Sequence, residues 1–375
     1  MRDATAEPES GDDEAILIVG GGMAGSLLAL VLGRAGRRVV VFDPRRTPAP
    51  VFRNEKLGHE QIALLEKLGV LDCFAQVCWP PAGHPHAYPE GARPALYDCG
   101  APHHEWLASV RRAWPDTVRF VEGSIARVEL SEGRQLAHTQ GGEVFAGRLL
   151  VLATGRMPAL RDQIGVEHRM LSAQHSVCLG FSVATPKPVA AQVFPTPFGT
   201  GLGYVSLFPM PGETRVNVFS YRGLADPWTR RMSADPLAAL ADLAPQATAV
   251  LAGAVVVRRC EARATDLYET RGHILPGLVV LGDSFHAPCP ASGTGMLRIL
   301  NDIDVLTEAW LPGALATPGM EAAKVARFYA HPAKRRIDAA SLRRSRLGRA
   351  QALDAGAYWR ARRMLGRLRR RLRRA

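Results

Sequence analysis

This chain of 375 residues has only six cysteines, and no two of them form a C-x-x-C pair. Cys73, Cys78, Cys99, Cys178, Cys260 and Cys289 are scattered, and no secretory leader precedes them. That excludes a disulfide framework and favours reduced thiols in a cytoplasmic protein. Metal-ligand clusters are missing too. His84 and His86 are closely spaced, but no Cys or acid completes a set, so no metal is expected. A clean membrane span is also lacking. The longest apolar run, Ile16 to Leu32, is broken by Gly20, Gly21, Gly22 and Gly25. It follows an acidic stretch where a signal peptide would be basic. The run therefore reads as a strand, a turn and a helix.

Positive charge is abundant and unevenly placed. The 47 Lys and Arg outnumber the 35 Asp and Glu, for a net charge of +12. From Lys324 onward there are eighteen basic residues against Asp338 and Asp354, a net of +16 that leaves the preceding body at −4. The high isoelectric point thus describes the tail rather than the body. From Tyr358 to the end, Leu365, Leu368 and Leu372 recur at helical spacing among arginines, the pattern of a basic amphipathic helix. An acidic carrier protein or an anionic membrane surface would suit such a helix, which adds peripheral membrane contact to a cytoplasmic location. Nucleic acid is disfavoured as a partner.

Ala15–Val19, Met23–Ala35 and Arg38–Phe42 read as a βαβ unit of the size that opens a dinucleotide-binding domain. Between its first strand and helix lies Gly20-Gly21-Gly22-Met23-Ala24-Gly25, a G-x-G-x-x-G loop. Gly20 permits the tight turn, Gly22 lets a pyrophosphate approach the backbone, and Gly25 lets the helix pack on the strand. The N–H groups of Met23 and Ala24 open the helix, where its dipole favours negative charge. Asp43 ends the next strand, where a carboxylate can accept hydrogen bonds from ribose hydroxyls.

Further along, short β-like runs such as Val177–Val183, Gly203–Phe208 and Arg215–Tyr221 predict a largely antiparallel sheet inserted into the first domain, with a Pro-marked helix at Pro236–Leu243. An apolar strand then returns at Leu278–Leu281. It delivers Gly282-Asp283-Ser284-Phe285-His286, followed by Pro290, Gly293, Gly295 and Met296 at the start of a helix read as Met296–Leu306. Asp283 stands where it can bind a ribityl hydroxyl. The N–H groups of Gly295 and Met296 can face the flavin N1/C2=O edge, which becomes negative on reduction.

This second motif resembles the G-D-A-x-H…P…G-x-G segment of the para-hydroxybenzoate hydroxylase-like (class A) flavoprotein monooxygenases, with Asn301-Asp302 following as in the family. The resemblance spans about residues 15–310. It implies an α/β chain with a Rossmann-type (GR2-like) FAD-binding domain, an inserted, mostly antiparallel substrate sheet and a C-terminal basic helical tail. The corresponding boundaries are a disordered acidic N-terminus at 1–13, FAD-binding parts at 14–82, 103–165 and 273–320, a loop-rich substrate-side segment at 83–102, the substrate sheet at 166–272 and the basic helical segment at 321–375. The resemblance further implies FAD, NAD(P)H as electron source, and oxygen activation as a flavin C4a-hydroperoxide that hydroxylates or epoxidises an aromatic or hydrophobic small molecule. The adenine half would fall to Gly20, Gly22, Met23, Ala24, Gly25 and Asp43, and the flavin half to Arg53, Asp283, Pro290, Gly293, Gly295 and Met296.

The chain departs from the family pattern at three places. Thr154, in Ala153-Thr154-Gly155-Arg156, replaces the acid of an Asp-Gly pair tied to pyrophosphate and nicotinamide handling. That leaves open a separate flavin reductase as the electron source. The family often has Arg at the start of the helix that here begins near His103-His104, where either a histidine takes its place or the contact is lost, and Asp43 replaces the commoner Glu. No catalytic residue is assigned, because the family reaction asks the protein for positioning, a dry cavity and a proton rather than a general base. His286 and Cys289, close to the second motif, read as structural. Substrate-lining residues are expected around Phe194–Gly203 and Leu207–Met210. Two alternatives stay open: an FAD-dependent reductase or dehydrogenase of the same superfamily, and a non-catalytic FAD-binding protein.

Overall fold

The computed structural model describes residues 14–51, 54–77, 100–156, 159–196, 199–210, 212–354, 356–359, 361 and 364. The acidic N-terminus, Arg53, most of the 83–102 segment and most of the basic run from Tyr358 onward lie outside these residues, while 321–354 forms the helices Ala322–Ala330 and Pro332–Leu353.

The described residues divide into two compact units. The first takes in those of 1–171, 268–287 and 295–339. Its centre is a parallel sheet of five strands in the order Leu278–Val280, Leu149–Leu152, Ile16–Val19 (β1), Val39–Asp43 (β2) and Val118–Glu122. These strands are rich in Val, Leu and Ile because both sheet faces are covered. Alternation decides which face each residue serves. Ile16, Ile18, Val39, Val41 and Val151 enter the core shared with the helix Met23–Arg34 (α1). Leu17, Val19, Val40, Phe42 and Leu152 enter the opposite core.

That opposite core is closed by a three-stranded antiparallel meander, Ile125–Glu129, Gln135–Thr139 and Val144–Gly147, which supplies Ala137 and Phe145. The sequence pattern reads as a strand at Ala126–Leu130, close to the first of these, and gives no strand at the other two. α1 is buried along nearly its whole length, from Met23 to Gly33. It has no solvated face, which accounts for the long apolar run that the glycines interrupt.

The second unit takes in those of 172–267, 288–294 and 340–375. Its strand order is Gln192–Pro195, Leu202–Met210, Glu213–Ser220, Glu167–Ala184 and Val255–Arg271, with the first three neighbouring pairs antiparallel. One face packs Leu179, Phe181, Val216 and Val218 against the helices Pro227–Ala234, Pro236–Leu243 and Pro245–Val250. Each helix carries Pro in its first turn, where a missing N–H does no harm. Asp226 caps the first by accepting from Trp228 N at 2.9 Å, and Asp235 caps the second by accepting from Ala238 N at 3.1 Å. No helix of the described residues is long and apolar enough to cross a membrane.

Candidate functional site

The glycine loop follows from β1 with little freedom. Gly20 adopts φ +105°, and a Cβ built on it would lie 2.4 Å from Ala153 O. Only glycine can take both the conformation and the approach. A Cβ on Gly25 would fall 2.0 Å from Gly20 O, so this position lets α1 start directly against the turn. Gly22 differs from both, since a Cβ there would meet nothing within 4 Å. The N-terminal N–H groups of α1 beside it receive no side-chain cap. Such uncapped donors at a helix start form an anion site. These residues therefore fit a pyrophosphate: a clash-free approach at Gly22 and free donors at Met23 and Ala24.

Asp43 holds the turn from the end of β2. Its Oδ2 accepts from Gly21 N at 2.9 Å and its Oδ1 from Arg45 N at 3.0 Å. Arg111 completes the arrangement. Its Nη1 donates to Arg45 O at 2.7 Å and Arg46 O at 2.6 Å, its Nη2 to Gly21 O, and its Nε to Ser26 Oγ at 3.3 Å. The guanidinium lies 3.8 Å from Asp43 Oδ2, and its side chain is only 10% exposed. Burial pulls its pKa down, partly offset by the Asp43 charge. The sequence reading missed Arg111, which lies in the last turn of the helix His103–Arg112 and belongs to no contiguous motif. At the start of the same helix, His104 is half-buried and its Nδ1 finds no partner among the described residues.

The second motif lies beside this loop. Gly282 adopts φ +62°, and a Cβ there would stand 3.0 Å from Ala24 Cβ. Gly282–Ser284 forms a 3₁₀ turn carrying Asp283, and several carbonyls of the segment are tied down. Tyr268 Oη donates to Asp283 O, His168 Nε2 lies 2.8 Å from Ser284 O, and Thr270 Oγ1 donates to Phe285 O. Arg298 Nη1 donates to His286 O, while its Nε meets Asp338 Oδ1 at 2.9 Å. Lys334 Nζ joins Asp302 Oδ1 at 2.9 Å to Asp338 Oδ2 at 3.2 Å, and lies over the Phe285 ring at 4.3 Å. Burial raises the Asp302 pKa. Burial opposes the Asp338 charge as well, but Lys334 and Arg298 outweigh it and hold that carboxyl below the usual range.

The remaining candidates are placed as follows. Gly295 starts the helix Gly295–Asp304, with Met296 buried behind it; the helix expected to reach Leu306 passes into π-type turns at Val305–Trp310. Pro290 opens a 3₁₀ turn in the second unit, and Gly293 closes it at φ +65°. Thr154 Oγ1 lies 3.4 Å from Ser284 Oγ, so the family's missing acid leaves a hydroxyl pair. His286 is buried, and burial pushes its pKa down to about 4. Cys289 donates from Sγ to Ser176 Oγ at 3.2 Å, and burial raises its pKa, the setting of an unreactive thiol. Among the expected substrate-lining residues, Leu207 and Phe194 pack in the apolar core of the second unit instead.

Residues 13–116 match the family model of the FAD binding domain. Over 321 residues the chain is 23% identical to 3-demethoxyubiquinol 3-hydroxylase of Escherichia coli (strain K12), covering 78% of each protein. The fold is that of pqsL from Pseudomonas aeruginosa, described as a probable FAD-dependent monooxygenase, with a TM-score of 0.70, 21% identity, and 92% of this chain and 97% of that one covered. It is also that of HpxO from Klebsiella pneumoniae, solved with FAD and uric acid, with a TM-score of 0.67, 18% identity, and 93% and 91% covered.

Proposed function

The chain belongs with the FAD-dependent, aromatic-hydroxylase-like monooxygenases, and from that premise we propose that it hydroxylates or epoxidises an aromatic or other hydrophobic small molecule. The observation that carries this reading is the meeting of the two motifs, with Gly282 packed against Ala24. One motif suits the adenosine diphosphate half of FAD and the other suits the flavin half. When bound and reduced, FAD supplies oxygen activation at C4a.

The residues proposed to hold FAD are Gly20, Gly22, Met23, Ala24, Gly25 and Asp43, with Asp283, Pro290, Gly293, Gly295 and Met296 toward the flavin. Arg111 joins them as the group that fixes the loop after Asp43. Arg53 remains assigned on the family resemblance alone. His286 is neutral above about pH 4, so it stores no proton at neutral pH and its role is to hold the loop.

NAD(P)H is the proposed ultimate electron source. Thr154 and Ser284 offer two hydroxyls where the family has an acid, which favours delivery through a separate flavin reductase. The basic segment from Tyr358 is proposed to meet an acidic carrier protein or an anionic membrane. Substrate-dependent oxygen consumption tests the main reading. Oxygen uptake coupled one-to-one to an oxygenated product supports it, whereas substrate reduction without oxygen uptake assigns the chain to the reductases.

A further inference from the structure

Consecutive backbone carbonyls of the second motif are each met by a side chain from outside it. Tyr268 Oη donates to Asp283 O, His168 Nε2 lies 2.8 Å from Ser284 O, Thr270 Oγ1 donates to Phe285 O, and Arg298 Nη1 donates to His286 O. The turn that carries Asp283 is therefore set by these donors as much as by its own sequence. A threonine hydroxyl and an arginine keep their protons throughout the neutral range, and so does Tyr268, whose pKa burial raises. Of this set, His168 is the member whose charge can change there.

His168 stands at the start of the strand Glu167–Ala184, half-buried, with its ring stacked on Tyr268 at a centroid distance of 3.7 Å and 15° between planes. Its other ring nitrogen, Nδ1, is met by Arg161 Nη1. Arg161 is 8% exposed and is also held by Asp162, whose Oδ1 accepts from Nε at 3.0 Å and from Nη2 at 2.8 Å. These contacts leave the imidazole a single form. A carbonyl only accepts, so Nε2 must carry a hydrogen; a guanidinium only donates, so Nδ1 must not. The ring is therefore the neutral Nε2–H tautomer. Burial holds its pKa below 6.5 and the Arg161 charge adds to this, against the Ser284 carbonyl and the Asp162 charge. The other charges nearby offset one another. Arg169 pairs with Glu269 at 2.5 Å, and Arg156 and Asp283, which act on Tyr268, are of opposite sign.

We propose that His168 is a positioning residue for the flavin: set by Arg161 in its Nε2–H form, it holds the Asp283–Ser284 turn in the shape that receives FAD, and protonation of its ring weakens FAD binding. A proton added at Nδ1 would face a guanidinium that Asp162 keeps in place. The ring is then the part that moves, and Ser284 O loses its donor. Protons and FAD thus compete. His168 is neutral above pH 6.5, so affinity is constant there and falls as pH drops below its lowered pKa. The inference rests on the proposed flavin site and adds to it a pH dependence and the residue responsible.

The test titrates the full-length apoprotein with FAD between about pH 5 and pH 8. Wild-type affinity is expected to fall about tenfold across the acid side of that range, the scale of one coupled proton. Glutamine can donate to Ser284 O and accept from Arg161 without titrating, so His168→Gln is expected to bind within about threefold of wild type at neutral pH and to show a flat profile. His168→Phe keeps a ring over Tyr268 but neither hydrogen bond, and is expected to bind about tenfold more weakly at every pH. If His168→Phe does not fold, the wild-type and His168→Gln profiles decide. Nitrogen NMR of histidine-labelled apoprotein gives a second readout: the ring signals lost in His168→Gln should be those of a neutral imidazole protonated at Nε2. A flat wild-type profile, a pH dependence that survives in His168→Gln, or an Nδ1–H ring overturns this inference and leaves the flavin site standing. A wild-type chain that takes up no FAD at any pH overturns the flavin site and this inference with it.

Discussion

Asp43 Oδ2 accepts a hydrogen bond from Gly21 N at 2.9 Å, joining the end of the second strand to the middle of the glycine loop. The carboxylate therefore shapes the loop as well as offering itself to a ribose. Asp43→Ala should weaken FAD binding about 10- to 100-fold, the range for losing a hydrogen bond to a charged group. Asp43→Asn keeps one acceptor and should lose less. Titration of the apoprotein with FAD measures both, and equal affinity in wild type and Asp43→Ala would exclude the role.

Gly22 and Gly25 should fail in different ways. A Cβ at Gly25 would strike the backbone oxygen of Gly20, whereas one at Gly22 meets no protein atom. Gly25→Ala should therefore lower the thermal midpoint, with a penalty of at least about 1–3 kcal/mol from overpacking. Gly22→Ala should leave the apoprotein midpoint nearly unchanged and yet impair FAD binding, because its methyl enters the approach to the helix N-terminus. Matched melting curves and flavin titrations separate these outcomes.

Arg111 satisfies three carbonyls, those of Gly21, Arg45 and Arg46, at one nearly buried position. Arg111→Met should destabilise the fold by about 2–3 kcal/mol, since the carbonyls lose a charged donor. Arg111→Lys should recover only part of that, because an ammonium cannot reproduce the fork. Chemical denaturation of the three proteins gives the ranking.

His286 makes stability depend on pH in a definite direction. Its pKa falls from 6.5 to about 4 on folding because burial disfavours the charged form. Between those values the unfolded chain holds more protons, so stability rises with pH. The contribution is complete above pH 6.5 and is lost as pH falls toward 4, on the order of 3 kcal/mol in all. His286→Gln should flatten the pH dependence of unfolding across that window. An unchanged slope would show that this histidine titrates in solvent.

The two ends of the candidate site were legible because each is a contiguous run of residues whose types have local reasons. The glycines of the loop answer to backbone clashes, and Gly282 to a positive φ beside Ala24. Arg111 was not legible, because it reaches Gly21, 90 residues away, only once the helix packs. The second strand of the meander, Gln135–Thr139, escaped for another reason. Gln135 and Thr139 are buried polar residues that break the apolar alternation a strand reading needs. Gln135 faces inward because Ser131 satisfies both ends of its amide, at 3.1 and 2.8 Å.

The central claim is that the two motifs together hold one FAD that can be reduced. The most direct measurement is the visible absorbance of the purified protein, supplemented with FAD, before and after anaerobic addition of NADH, NADPH or a flavin reductase with its nicotinamide. The account predicts one flavin per chain that bleaches with the reductase system. A protein that retains no flavin, or a bound flavin that none of these donors reduces, contradicts it.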